Sequence, residues 1–250
     1  MSDLPGISLI CADTTRSRAY LQALARHGLR PAHVLAMRRP GGDLPGQSRA
    51  PLPAAPARPD PLWQAAAFDP NSALEDDLRV LGAPVTTIDS ADINAPDTVA
   101  AIAALPGDTA IFSGYGGQIL RRDALGAGKA MLHVHGGWLP AFRGSTTNWF
   151  SLLAEGTLGA SAIFLTAEID AGPILLRRRF PAPFDRTVID HLHDGAARAA
   201  VLVETLSAYL ERGAWPRVDP APGERAETFY VAHPVLKHLA AYGPSDVFAE

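Results

Sequence analysis

Short apolar runs alternate with stretches whose apolar positions recur every three or four residues along most of the chain. Residues 7–12 form an apolar run broken only by Ser8, the pattern of a strand buried on both faces. Tyr20, Leu21, Leu24 and Ala25 then recur at helical spacing, with Thr14 or Thr15 placed to cap a helix and Gly28 to stop it. The same reading predicts strands over 32–37, 85–88, 109–113 and 131–134, and helices over 72–81, 97–105 and 147–155. Residues 161–166 and 174–180 pattern as two strands of a hairpin, and 188–210 as a long helix closed off by Pro216, Pro220 and Pro222. Such alternation implies an α/β architecture, a Rossmann-like and mostly parallel sheet with helices on both faces. Residues 1–180 are the expected core, and 181–250 a short C-terminal helix-and-tail appendage packed on it. Seven prolines between Pro40 and Pro61 mark a surface loop.

Composition narrows the function. Hydrophobic residues make up 47% of the 250 positions and charged residues 19%, enough apolar surface for a large core. Lys and Arg total 22 against 26 Asp and Glu, a net charge of −4, so the broad basic footprint of a nucleic-acid binder is missing. An enzyme or small-molecule binder is expected first. Cys11 is the single cysteine, so no intrachain disulfide can form, and its apolar setting predicts a buried hydrophobe. The N-terminus lacks a signal-like pattern and no apolar stretch approaches the ~18 residues of a membrane span, so a cytoplasmic protein is expected. The turn after the first predicted strand, Ala12-Asp13-Thr14-Thr15-Arg16, has no Gly-x-Gly-x-x-Gly, which disfavours a dinucleotide.

The chemistry concentrates in Leu132-His133-Val134-His135-Gly136-Gly137-Trp138-Leu139-Pro140. Residues two apart on a strand share a face, so His133 and His135 project together at a strand end, where open α/β sheets bind ligands. Two imidazoles there can donate hydrogen bonds, move protons or bind metal. Asp170 falls in the turn between the two hairpin strands, where an aspartate by itself is most simply a turn former.

The segment from His133 through Pro140 to Arg143-Gly144, with Trp149 beyond it, resembles the Asn-x-His, Leu-Pro and Arg-Gly segments of the folate-dependent formyltransferases. Gly159-Ala160-Ser161, Ile169-Asp170-Ala171-Gly172 and Gly114-Tyr115-Gly116-Gly117-Gln118-Ile119-Leu120 are similar to further segments of that family, in the same order. The resemblance covers roughly 111–180 and is weaker toward the N-terminus. It implies transfer of a formyl group from 10-formyltetrahydrofolate, as co-substrate, to the amine of a small molecule, with His135 and Asp170 catalytic. It implies a pterin held by Tyr115, Gly116, Gly117, Gln118, Ile119, Leu120, Leu165, Thr166 and Glu168, with Trp138 and Arg143 toward the acceptor. Relatives acting on transfer RNA carry a further C-terminal barrel and those acting on glycinamide ribonucleotide are shorter, so the acceptor class this resemblance favours is a nucleotide-linked amino sugar. No nucleic-acid or membrane partner is expected, and a homodimer is left open.

Two positions depart from the family pattern. His133 stands where an asparagine is usual and could donate to the oxyanion from a ring nitrogen. Asn148 stands where many relatives have proline, with no chemical meaning legible in the sequence. The His133 departure keeps other readings open: a formyl-folate deformylase or related hydrolase, a metal enzyme using His133, His135 and Asp170, and a non-catalytic folate or nucleotide binder. No metal is expected. Arg177-Arg178-Arg179 is expected as a solvated strand face, residues 233–238 as a docked turn, and His191 and His193 as surface or packing residues.

Overall fold

The structure, a computed structural model, describes residues 2–41 and 51–243. Its centre is a seven-stranded sheet built from β1 (Ile7–Ala12), β2 (Val34–Arg38), β3 (Val85–Asp89), β4 (Thr109–Ser113), β5 (Ala130–His135), β6 (Thr157–Phe164) and β7 (Ile174–Pro181), in the spatial order β7-β6-β5-β4-β1-β2-β3. The five strands from β5 to β3 run parallel. β6 and β7 are antiparallel additions, and His135 of β5 lies opposite Ser161 of β6. The expected α/β class is therefore the observed one.

Alternation along each strand divides the core between two faces. Leu9, Cys11, Val34 and Ala36 point to one side, where α1 (Thr15–Arg26), α2 (Pro61–Ala66), α3 (Leu74–Leu81) and α7 (Asp194–Arg212) cover them. Ile10, Ala12, Leu35 and Met37 point to the other, beneath α4 (Pro96–Ala103) and α5 (Arg122–Leu125). Each fully buried leucine or isoleucine in these layers contributes about 1.5–3 kcal/mol of transfer free energy. α1 starts where expected because Thr14 is extended and its side chain accepts from Ser17 N–H. Cys11 is fully buried, and burial followed by the nearby Asp13 charge pushes its thiol up to about 12, as suits an inert packing residue.

Several expectations need correction. α7 packs on the core: Ala196, Ala199, Leu202 and Leu206 belong to the same buried layer as β1, and the helix lies along α1. Packing thus runs continuously across residue 180. The predicted helix from 188 begins instead with a π-helical turn, Ile189–His193, which turns His193 into the protein to meet Asp60 Oδ2 at 2.8 Å. Asp60 also caps α2, a helix the proline-rich composition hid. Residues 42–50 of the proline-rich loop lie outside the described residues. The docked turn at 233–238 opens a longer helix, α8 (Pro234–Tyr242), which packs on α6 (Thr147–Glu155).

Candidate active site

His133 and His135 leave the end of β5 on the same face and line one cavity of about 620 Å³. His135 is 4% exposed. Its Nε2 lies 2.7 Å from the carbonyl oxygen of Phe142, which can only accept, so Nε2 carries the proton. Nδ1 then faces Asp170 Oδ2 at 3.4 Å. Burial lowers the pKa of His135, and the Asp170 charge opposes that shift. The ring is neutral at neutral pH, with Nδ1 free to accept a proton and a carboxylate beside it to stabilise the imidazolium.

Asp170 is held to this task by the backbone. It sits in the left-handed region, φ 51°, which aspartate tolerates better than most residues, and its Oδ2 accepts from Gly144 N–H at 2.8 Å. Gly136 and Gly137 let the loop close over the histidine. A Cβ on Gly137 would lie 2.7 Å from Phe142 O and 2.8 Å from both His135 Nε2 and Thr147 Oγ1.

His133 behaves differently from the donor expected of it. Its Nδ1 is 3.3 Å from the carbonyl oxygen of Phe112, so Nδ1 donates. Burial, then the cations of Arg16 and Arg198, hold its pKa well below 6.5. The neutral ring therefore turns an acceptor lone pair, on Nε2, toward the cavity: the opposite polarity to an amide donor. The Asn148 departure gains a role. Its Nδ2 donates to Asp194 Oδ1 at 3.0 Å and its Oδ1 accepts from Gly159 N–H at 2.8 Å, tying α6 to α7 and β6.

The loops after β4 and β6 form a slot on one side of the histidines. Tyr115, Gly116, Gly117, Gln118, Ile119 and Leu120 line it together with Leu165, Thr166 and Glu168. Gln118 Nε2 donates to Ala91 O, while its Oε1 has no protein partner. An apolar slot with a few polar groups on its wall fits a flat heteroaromatic ring. The two acceptor-side expectations fare less well. Among the described residues that line the cavity, neither Trp138 nor Arg143 appears. Trp138 points into a separate cluster, its Nε1 donating to Glu224 Oε1 at 2.7 Å, because Arg177 and Arg179 stack on its ring. Arg143 Nη1 instead holds Glu168 Oε1 at 3.0 Å. Among the described residues no three His, Cys, Asp or Glu side chains group as metal ligands.

Other lining residues carried little signal in the sequence. Arg16 opens α1, and Asp194 and Arg198, one helical turn apart on α7, form an ion pair at 2.7 Å. Residues 228–231 of the tail also line the cavity. Thr228–Phe229 pairs in parallel with Arg143–Gly144, and Phe229 stacks between Phe142 and Phe150 at 5.5 and 4.6 Å. The aromatic pair Phe229-Tyr230, after a proline-rich stretch, was the available clue. No helix among the described residues is long and apolar enough to cross a membrane.

A family model described as formyl transferase matches residues 58–201. The chain is 35% identical over 153 residues to a methionyl-tRNA formyltransferase of Roseiflexus sp., covering 60% of this chain and 45% of that protein. It is 37% identical over 99 residues to the methionyl-tRNA formyltransferase of Rhodopirellula baltica, 39% of this chain and 29% of that protein. It thus spans less than half the length of these relatives. Among solved structures, phosphoribosylglycinamide formyltransferase from Anaplasma phagocytophilum superposes with a TM-score of 0.57 at 12% identity, over 92% of this chain and 99% of that one. An N-formyltransferase from Helicobacter canadensis, in complex with folinic acid and dTDP-3-aminofucose, gives 0.55 at 11% identity, over 91% and 71%. At these identities the likeness is one of fold.

Proposed function

The chain belongs to the formyl transferase family, and from that membership we propose that it moves a formyl group from 10-formyltetrahydrofolate to the amine of a small molecule at the His135–Asp170 pair. The observation that carries this reading is the polarity of His135: Nε2–H fixed on Phe142 O at 2.7 Å, with Nδ1 left as a proton acceptor 3.4 Å from a carboxylate inside a cavity. Attack of an amine on the formyl carbon needs a base for the amine proton, and departure of the folate nitrogen needs an acid. His135 Nδ1 takes the first proton, Asp170 stabilises the imidazolium, and the same proton then goes to the leaving nitrogen. Nucleophile and donor are held together in one cavity, which removes the entropic cost of their meeting.

The slot walled by Tyr115–Leu120 and Leu165–Glu168 is the proposed seat of the pterin. The acceptor is a small molecule in this reading because a net charge of −4 suits a transfer-RNA partner poorly. A nucleotide-linked amino sugar, the kind of ligand in the Helicobacter structure, is the class proposed. Neutral His133 supplies an acceptor to the attacking N–H groups.

The test is tetrahydrofolate release from 10-formyltetrahydrofolate by the full chain, with and without a panel of amino sugars, amino acids and aminoacylated transfer RNA. Release that depends on a small amine and vanishes in His135→Ala supports the reading. Full-rate release without any amine replaces it with a hydrolase, and turnover only with transfer RNA overturns the acceptor assignment.

A further inference from the structure

The turn that opens α7 faces two ways. Asp194 N–H donates to Ile189 O, five residues back, so the turn Ile189–His193 holds one residue more than an α-turn. On an uninterrupted α-helix residues 190, 193 and 194 would share a face. Here Asp190 and Asp194 line the cavity, whereas His193 does not and is fully buried. π-turns inside helices recur at functional sites.

The side away from the cavity is a pair sealed from solvent. Asp60, at the start of α2, is 4% exposed. Its Oδ1 accepts from Trp63 N–H at 3.0 Å and its Oδ2 from His193 Nε2 at 2.8 Å. A carboxylate only accepts, so Nε2 carries the proton, and burial keeps the ring neutral. Nδ1 is then a buried acceptor without a hydrogen-bond partner among the described residues. A contact kept for stability alone would be expected to satisfy both ring nitrogens. Ala57 N–H donates to Asp185 Oδ2 at 2.8 Å, so the segment leading into α2 also clasps the chain just before the turn.

The cavity side carries the bonds that reach the end of β5. Asp190 accepts from Trp149 Nε1 at 2.7 Å and from Lys237 Nζ at 2.5 Å. Asp194 accepts from Asn148 Nδ2 at 3.0 Å and from Arg198 Nε at 2.7 Å. Arg198 Nη1 donates in turn to the carbonyl of Val134, the residue before His135, at 2.6 Å. Gly136, the residue after His135, has no room for a side chain: a Cβ there would fall 2.6 Å from Arg198 Nη2. The strand end is thus registered against α7, and the turn sets where α7 starts.

We propose that His193 and Asp60 are positioning residues of the active site: their buried hydrogen bond holds the π-turn in register and, through Asp194 and Arg198, fixes the strand end that carries His135. Neither side chain lines the cavity itself. The description of His135 as catalytic rests on the formyl-transfer reading; the coupling of the pair to the strand end does not.

The experiment is nuclear magnetic resonance of the full chain with isotopically labelled tryptophan and histidine nitrogens, signals being identified through Trp149→Phe, Trp215→Phe and His135→Gln. Wild type is compared with the double variant Asp60→Ser, His193→Leu and with Asp60→Asn. Serine keeps the cap on α2 and leucine fills the place of the imidazole, so both partners are removed together, a change close to neutral for stability. Asparagine keeps the cap and the shape and removes the charge. The double variant is expected to keep a denaturation midpoint near that of wild type, to displace the Trp149 indole signal with solvent exchange at least about tenfold faster, and to displace the ring signals of His135. Trp215, stacked on Tyr209 near the far end of α7, should keep its signal. Asp60→Asn should displace the same two sets of signals by less. Unmoved Trp149 and His135 signals in a folded double variant overturn the proposal, as does an equal displacement of Trp215, which marks general loosening. If the double variant does not fold, Asp60→Asn decides on the same signals. Tetrahydrofolate release by wild type is assayed in parallel; its absence overturns the formyl-transfer reading and leaves the coupling to stand or fall on the spectra.

Discussion

Two polar clusters flank the glycine-rich loop after β5, and they differ in how completely the protein satisfies them. On the cavity side His135, Asp170, His133, Arg16 and Arg198 keep free lone pairs and donors. On the other side Trp138 is stacked by Arg177 and Arg179, with guanidinium carbons 4.1 and 4.3 Å from the ring centre. Glu224 accepts from Trp138 Nε1 and from both Nη1 and Nη2 of Arg177 at 2.7–3.1 Å. Residue types alone do not separate these clusters, since both contain arginine, a carboxylate and an aromatic or imidazole ring. What separates them is unspent hydrogen-bonding capacity. The saturated cluster fixes the loop, and the unsaturated one is available for chemistry.

The largest break in that comparison comes from the cavity side. His135→Ala and Asp170→Asn are each expected to lower turnover by about 10²–10⁴, because the first removes the proton-transfer group and the second the charge that stabilises its imidazolium. Asparagine keeps the left-handed backbone and can still accept from Gly144, so Asp170→Asn tests the charge with the fold preserved. Trp138→Phe should change turnover by less than about threefold, a difference readable in one steady-state assay. Next in size is Gly137→Ala. Its Cβ would collide with the Phe142 carbonyl and His135 Nε2, so a stability loss of about 1–3 kcal/mol is expected in denaturant melts, together with a fall in turnover. Glu224→Gln is expected to cost about 1–2 kcal/mol in the same melts while leaving turnover unchanged.

The smallest effect sharpens the comparison through pH. Burial lowers the pKa of His133, His135 and His193, so the unfolded chain binds protons below pH 6.5 that these folded side chains refuse. Their contribution to stability is complete above 6.5 and is lost as the pH falls toward their folded values. The groups facing the cavity pair are Asp170, Asp194, Arg16 and Arg198. Glu224 follows the same sign of that rule in a lower pH window. Burial opposes its ionisation, but hydrogen bonds from Arg177 and Trp138 hold it below 4.5, so its contribution is lost only in stronger acid. Melting curves of wild type and Glu224→Gln should run parallel between pH 6.5 and 5 and converge below 4.5.

Much of this was legible in the sequence. The run from Ile7 to Ala12, the strand Thr109–Ser113 and the helix Thr147–Glu155 matched their observed bounds, because their apolar patterning agrees with the faces they bury. The two-residue period was enough to put His133 and His135 on one face. Other features depend on contacts made far along the chain. The lone pair of His133 follows from a carbonyl 21 residues away, and Trp138 turns from the cavity because Glu224, 86 residues on, waits for it. α7 read as an appendage because its apolar stripe says that it packs but not on what. The tail at Thr228–Phe229 was too short for any periodicity to register.

Parallel rates of amine-dependent tetrahydrofolate release by wild type, His135→Ala and Trp138→Phe test the central claim most directly. The account predicts near-wild-type release by Trp138→Phe and a loss of at least about a hundredfold in His135→Ala. Equal loss in the two variants, or an active His135→Ala enzyme, would contradict it.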